Sequence, residues 1–135
     1  MIRQLDDKLM VSGQVAPHEV AGLAEQGVTM LVNNRPDGED EGQPLAGDIE
    51  DAAAAAGIAY RFVPIIRGIG PADIAEMQKA LRETGDGKLL AFCRSGTRSA
   101  LAVALVKREE GASAEEVVEQ LNQAGFDHGP IAHLL

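Results

Sequence analysis

The feature that most constrains the fold is the alternation of short apolar runs with longer stretches of helical periodicity. The apolar, partly β-branched runs have the length of buried strands, and they fall at residues 9–15, 28–34, 58–65 and 88–93. Helical patterns follow or separate them, at residues 17–27, 45–56, 71–84, 99–111 and 113–126, with a short helical tail at 130–135. Because alternating strands and helices build a sheet covered by helices, we expect an α/β domain with a largely parallel sheet.

Proline and glycine residues mark the ends of several of these elements. Pro17 and Pro71 stand at helix starts, and Gly57 stands at a helix stop, as helix-end chemistry prefers. Residues 34–44 are dense in Pro, Gly and acidic side chains, which predicts a loop. No repeat or linker interrupts the pattern, so we expect one domain over residues 1–135.

Charge and cysteine content narrow the classes of partner. The formal net charge is −9, which argues against nucleic acid or an anionic membrane surface and favours a small ligand. One cysteine cannot form an internal disulfide, and no apolar run approaches the ~20 residues that a membrane span needs. We therefore expect a cytoplasmic protein.

The stretch AFCRSGTRS, residues 91–99, carries the candidate chemistry. Cys93 closes the most apolar strand, Ser99 opens the most apolar helix, and only RSGTR connects them. A short loop from strand to helix directs backbone N–H groups and the positive end of the helix dipole inward, which makes an anion site. Gly96 allows the loop to curl around a bound group.

The side chains of this loop suit a nucleophilic cysteine. The same field stabilises the thiolate of Cys93, which is the reactive form. Arg98 can offer a bidentate fork to an oxyanion, and Arg94 is either a second donor or a surface charge. The hydroxyls of Thr97 and Ser99 could donate to the sulfur, although Ser99 could equally cap the helix. We therefore assign catalytic roles to Cys93 and Arg98, and anion binding to Arg94, Ser95, Gly96, Thr97 and Ser99. A small buried structural cysteine is the alternative, but it would not require these neighbours.

The acidic loop that begins at residue 34 is a second candidate. Arg35, Asp37 and Glu39 follow directly from a strand end, on the side where the cysteine loop should lie. Glu39 or Asp37 could orient Arg98 or serve as a displaced general acid, and a solvated turn is the alternative. The three histidines lack the spacing of a metal site, so no metal or other cofactor is expected.

The chain resembles the bacterial family of beta-lactamase-hydrolase-like proteins, phosphatase-like domain, some members of which are sulfur transferases. LMVSGQV, NNRPDGE, GIAYRFVPI and FCRSGTRS carry the resemblance. It implies a cysteine-phosphatase-like fold similar to that of dual-specificity phosphatases. We expect three layers, with a mostly parallel sheet of four or five strands flanked by helices and the cysteine loop at the edge of the sheet.

Two features favour sulfur over phosphorus as the atom attacked. Four residues separate Cys93 from Arg98, as in rhodanese-type loops, whereas tyrosine and dual-specificity phosphatases have five. The loop PIIRGIGPAD contains no acidic residue before Asp73, which falls in the first turn of a helix. Sulfur transfer to a thiol needs no general acid. The sequence therefore predicts a sulfurtransferase in which Cys93 takes sulfur from thiosulfate or a small persulfide and passes it to a thiol acceptor.

Two alternatives remain open. One is a tyrosine or dual-specificity-like phosphatase that forms a phosphocysteine, and the other is a non-catalytic module that binds anions or senses oxidation. The resemblance further implies a persulfide dioxygenase-like metallohydrolase as a partner.

Overall fold

The computed structural model describes residues 2–135. Five strands are present: β1 (Ile2–Gln4), β2 (Leu9–Ser12), β3 (Val28–Asn33), β4 (Ala59–Phe62) and β5 (Lys88–Phe92). The α-helices are α1 (Val20–Glu25), α2 (Ala46–Ala56), α3 (Pro71–Glu83), α4 (Thr97–Glu109) and α5 (Ala114–Gln123). Two 3-10 helices complete the chain, at Pro17–Glu19 and Gly129–Leu134. None of the helices described is long and apolar enough to cross a lipid bilayer.

The strands form one sheet in the order β1-β2-β5-β3-β4. All neighbours are parallel except β1, which runs antiparallel to β2. The expected mostly parallel sheet is confirmed, and β1 is an antiparallel strand that the apolar pattern did not predict. Because β5 is the central strand, the cysteine loop that follows it lies at the middle of the carboxyl-end edge of the sheet.

Helices cover both faces of the sheet, which gives the three expected layers. Alternate strand residues point to opposite faces. Val11, Val32 and Ala91 pack with α3, α4 and α5, whereas Leu31 and Phe92 pack with α1 and α2. The central strand is therefore buried on both faces, which accounts for its continuous apolar run.

The carboxyl ends of β2, β3 and β5 are joined by backbone hydrogen bonds. The N–H of Cys93 donates to the carbonyl of Ser12 at 3.3 Å, and the N–H of Asn34 donates to the carbonyl of Phe92 at 2.8 Å. Helix α4 begins at Thr97 rather than at the predicted Ser99, so the connection from strand to helix is shorter than the sequence indicated. These bonds fix the loop in position between its two neighbouring strands.

Candidate active site

Cys93 lies at the start of a tight loop that opens helix α4. The backbone N–H of Gly96 donates a hydrogen bond to Sγ of Cys93 over 3.1 Å. Gly96 is the N-cap of α4, so the sulfur lies beside the positive end of that helix. The side chain of Cys93 has no measurable solvent exposure. Burial alone is typical of a structural cysteine, but here the sulfur also accepts a backbone hydrogen bond at the start of a helix.

Gly96 is required by the shape of this loop. Its φ of +95° lies in the left-handed region, where a side chain is strained. A Cβ atom here would also lie 3.3 Å from the backbone carbon of Ser12. The cysteine loop is thus pressed against the end of β2, which holds the Gly96 N–H on the sulfur.

Arg98 extends from the first turn of α4 and is held by two elements. Its Nη1 donates to Oε2 of Glu39 at 2.7 Å and to the carbonyl of Ile65 at 2.8 Å, while Nη2 donates to Oε1 of Glu39 at 2.9 Å. Both carboxylate oxygens are therefore engaged by one guanidinium, which is the geometry of a strong ion pair. The structure therefore places Glu39 against Arg98. The sequence indicated this role, the orientation of Arg98, for Glu39 or Asp37.

The protonation states of this pair follow from their contact. The hydrogen bonds from Arg98, helped by Arg35, lower the pKa of Glu39 from 4.5 to about 2. The pKa of Arg98 is raised, first by the hydrogen bonds to Glu39 and further by attraction to the sulfur of Cys93. Glu39 is ionised at neutral pH and cannot donate a proton, so the predicted role of displaced general acid does not fit it.

Arg35 is the buried support of Glu39, with only 5% of its side chain exposed. Its Nε donates to Oε1 of Glu39 at 2.9 Å, its Nη2 to Asp40 at 2.7 Å and its Nη1 to Oε1 of Gln14 at 3.0 Å. A buried guanidinium needs such partners. Sequence reasoning identified Arg35 but missed Gln14 and Asp40; Asp40 carries a weak signal, because it stands beside Glu39 in the acidic loop.

Four of the predicted site residues lie at the periphery. Asp37 accepts a hydrogen bond from the N–H of Ala46 at 2.8 Å, so it binds the start of α2 instead of Arg98. The Arg94 side chain is 68% exposed, and its Nε lies 3.3 Å from Asp40. Ser95 and Thr97 are exposed, and their hydroxyls bond to each other. Arg94 is therefore oriented toward the acidic loop and the surface.

Ser99 belongs to a buried polar network, and the predicted bond from its hydroxyl to the sulfur is absent. Its Oγ donates to Oδ1 of Asn34 at 2.8 Å, and Nδ2 of Asn34 donates to the carbonyl of Val63 at 2.9 Å and to the sulfur of Met77. Ser99 is not the helix cap either, since α4 begins at Thr97. The network joins α4 to the ends of β3 and β4. The sequence did not predict a role for Asn34 at this site.

No general acid stands on the loop between β4 and α3. The first acidic residue after β4 is Asp73 in the first turn of α3, and its Oδ2 accepts a hydrogen bond from the N–H of Gly70 at 2.9 Å. This bond caps the start of α3, because Gly70 is the N-cap residue of that helix. Across residues 2–135, no group of three His, Cys, Asp or Glu side chains is placed to hold a metal ion.

Solved structures with the same architecture define the class of this protein. A candidate phosphatase from Neisseria meningitidis superposes with a TM-score of 0.80 and 28% identity, covering 98% of this chain and 94% of that one. A kinase associated phosphatase whose catalytic site cysteine was replaced by serine gives a TM-score of 0.71 at 18% identity, over 96% and 83% of the two chains. The fold, with a cysteine loop after the central strand, is that of the cysteine-phosphatase-like proteins.

The family follows from sequence comparison. Residues 1–109 match the profile of the family described as Beta-lactamase hydrolase-like protein, phosphatase-like domain. The chain is 41% identical over 131 residues to the Beta-lactamase hydrolase-like protein of Xylella fastidiosa, and 32% identical over 126 residues to that of Agrobacterium fabrum. It belongs to this family, as the resemblance predicted. The match covers 95% and 92% of this chain but only 30% and 29% of those relatives.

Proposed function

We propose that this chain is a cysteine-dependent phosphohydrolase that cleaves phosphate monoesters with a good leaving group. The reaction passes through a phosphocysteine at Cys93. The observation that carries the proposal is the hydrogen bond from the Gly96 N–H to the Cys93 sulfur at the start of α4, with Arg98 in the first turn of the same helix. Amide donors, a helix dipole and a guanidinium together favour both a thiolate and a bound oxyanion. The likeness to cysteine-phosphatase-like structures supports phosphorus over sulfur as the principal reaction.

The reaction proceeds in two displacements. The Cys93 thiolate attacks phosphorus, an S–P bond forms, and the ester P–O bond breaks with its electron pair leaving on the alcohol oxygen. Water then attacks the phosphocysteine, the S–P bond breaks, and inorganic phosphate departs as the thiolate is restored. Loop N–H groups and the Arg98 guanidinium stabilise the charge on the transferring group in both steps.

The surroundings of the loop limit the substrate. Glu39 is ionised and bound by two arginines, Asp37 binds the start of α2, and Asp73 caps α3. Without a positioned acid the leaving oxygen departs unprotonated, so aryl esters with stable phenolates should react far faster than alkyl esters. Since Cys93 is buried, the loop and its covering side chains must also shift for the ester to reach the sulfur.

Sulfur transfer is the second candidate, and two observations favour it. The loop has four residues between Cys93 and Arg98, and no acid stands on the β4–α3 loop. In this reaction the thiolate attacks the outer sulfur of thiosulfate and the S–S bond breaks to release sulfite. A thiol acceptor then removes the outer sulfur of the Cys93 persulfide and restores the thiolate.

Intact-protein mass spectrometry distinguishes the two reactions, because Cys93 is the only cysteine. The full chain is mixed with 4-nitrophenyl phosphate or with thiosulfate and quenched in acid, beside a Cys93→Ser control. We expect the mass of one phosphoryl group to appear with the aryl ester, together with steady release of nitrophenol. Neither should appear in the Cys93→Ser variant.

Other outcomes reject the proposal. If Cys93 gains one sulfur atom from thiosulfate and neither a phosphoryl adduct nor nitrophenol appears, the chain is a sulfurtransferase and not a phosphatase. Nitrophenol release that survives in Cys93→Ser would show that the cysteine is not the nucleophile. Absence of both adducts and of turnover would leave anion binding as the function of the loop.

A further inference from the structure

A groove borders the cysteine loop on the side of α4. It has a volume of about 460 Å³, within the usual range of small-molecule sites. Thr97, Arg98 and Leu101 of α4 form one wall, and the loop after β4 forms another. The third wall comes from the C-terminal 3-10 helix, Gly129–Leu134. Arg98 is thus shared between this groove and the candidate active site.

The lining of the groove is mostly apolar. Its isoleucine and leucine members are Ile65, Ile66, Ile69, Leu101, Ile131 and Leu134. Two of them are large and solvent-exposed: Ile66 is 75% exposed and Leu134 is 50% exposed. Exposed aliphatic side chains grouped around a concavity are typical of a binding site.

The charge around the groove is unlike that of the whole chain. The protein carries 21 acidic residues and a net charge of −9, yet no acidic residue lines this groove within residues 2–135. Its charged or ionisable members are Arg98 and His133. An anionic molecule therefore meets no carboxylate in the lining itself. Arg98 is the cationic end of the groove, and its partner Glu39 pairs with it from outside the lining.

A second cavity extends the apolar surface away from Arg98. It has a volume of about 340 Å³ and shares Ile69 and Leu134 with the groove. Ile74 and Leu105 add to its apolar lining. A chain longer than the first groove can therefore keep apolar contacts beyond Leu134.

We propose that the groove binds the apolar group of the substrate, so that the preferred substrates are anionic monoesters with an aryl group and an alkyl tail. The Nη1 atom of Arg98 bonds to the carbonyl of Ile65, which places the guanidinium directly on the groove wall. An anion held at Cys93 and Arg98 would therefore have its organic substituent at the mouth of the groove. For turnover, this inference rests on the proposed phosphohydrolase function.

The test measures binding separately from turnover. Calorimetry on the full-length Cys93→Ser variant compares phenyl phosphate, 4-butylphenyl phosphate and 4-hexylphenyl phosphate, whose anionic groups are identical. We expect Kd to fall along the series, by up to about fourfold for each methylene that leaves water. Adding Ile66→Ser or Leu134→Ser should weaken binding of the hexyl ester and leave that of phenyl phosphate unchanged.

Leu45→Ser is the matched control, because Leu45 is 59% exposed and lies outside the groove lining. It should leave all three Kd values unchanged. Equal affinity for the three esters, no binding of any of them, or an equal effect of Leu45→Ser and Leu134→Ser would overturn the groove proposal. Chain-length-dependent binding without turnover by the wild type would instead reject the phosphohydrolase function and retain the groove.

Discussion

Glu39 binds Arg98 through both of its carboxylate oxygens, at 2.7 and 2.9 Å. The two residues stand 59 positions apart, and the pair connects the loop after β3 to the first turn of α4. Arg35 fixes the same carboxylate from beneath. The orientation of Arg98 therefore depends on a carboxylate that must remain ionised.

Replacing Glu39 with Gln should make the stability of the chain less dependent on pH in the acid range. The pKa of Glu39 is about 2 when folded, against an ordinary 4.5, so its stabilising effect is complete above about pH 4.5 and is lost as the pH falls through about 2. Urea unfolding should show a deficit for Glu39→Gln of roughly 0.5–1 kcal/mol at pH 6, after allowance for solvent screening, and this deficit should shrink at pH 2.5. Glu41→Gln, at an exposed position in the same loop, is the control; an equal and pH-independent deficit in both variants would contradict the prediction.

Removing Arg98 should impair catalysis far more than removing Arg94. Arg98 is held in the first turn of α4 by Glu39 and the carbonyl of Ile65, whereas the Arg94 side chain is 68% exposed and lies beside Asp40. With 4-nitrophenyl phosphate we expect kcat/KM to fall about 10²- to 10³-fold in Arg98→Ala and less than about tenfold in Arg94→Ala. Arg98→Lys should recover little, since a lysine cannot present the planar fork. Equal losses in the two alanine variants would mean that Arg94 faces the bound anion.

Ser99→Ala should lower stability while most of the activity is retained. The Ser99 hydroxyl is buried and donates to Asn34, so its loss leaves the Asn34 oxygen without this donor. We expect the free energy of unfolding to drop by about 1–3 kcal/mol. Ser95→Ala, at an exposed position, should stay within about 0.5 kcal/mol of wild type. A large loss of kcat in Ser99→Ala with unchanged stability would contradict this prediction and would favour a hydrogen bond from the Ser99 hydroxyl to the Cys93 sulfur.

Gly96→Ala should destabilise the protein more than Gly42→Ala does. Both residues have positive φ angles, +95° and +77°, so an alanine is strained at either position. Only Gly96 faces a close neighbour, the backbone of Ser12, whereas a Cβ at Gly42 meets nothing within 4 Å. Thermal unfolding should therefore show the larger loss for Gly96→Ala, and equal losses would mean that the approach to β2 contributes nothing.

Much of the fold could be predicted because its signals are local. Apolar runs fix β2, β3, β4 and β5, and Pro17, Pro71 and Gly57 mark element ends within a few residues of their observed places. The cysteine loop also has a local signature, since the strand, the short connection and the helix are contiguous. The family and the phosphatase-like fold followed from those motifs and were confirmed.

The remaining features depend on contacts between distant segments. The three exposed residues of β1 carry no apolar pattern, so only pairing with β2 makes them a strand. Gln14 and Asn34 became part of the site because Arg35 and Ser99, from other segments, pack against them. The groove beside Arg98 needs the C-terminal 3-10 helix, which lies beyond the residues that match the family profile. Sequence patterns within a single segment cannot predict contacts between residues that lie far apart in the chain.

Because Cys93 is completely buried, its thiol is protected from reagents that would modify an exposed cysteine. A bulky alkylating agent or an oxidant in solution reacts with a covered sulfur only during the fraction of time in which the loop is open. The rate of modification of Cys93 therefore reports how often the sulfur becomes exposed. Because the chain has one cysteine, labelling of this thiol measures local opening around the cysteine loop without interference from other sites.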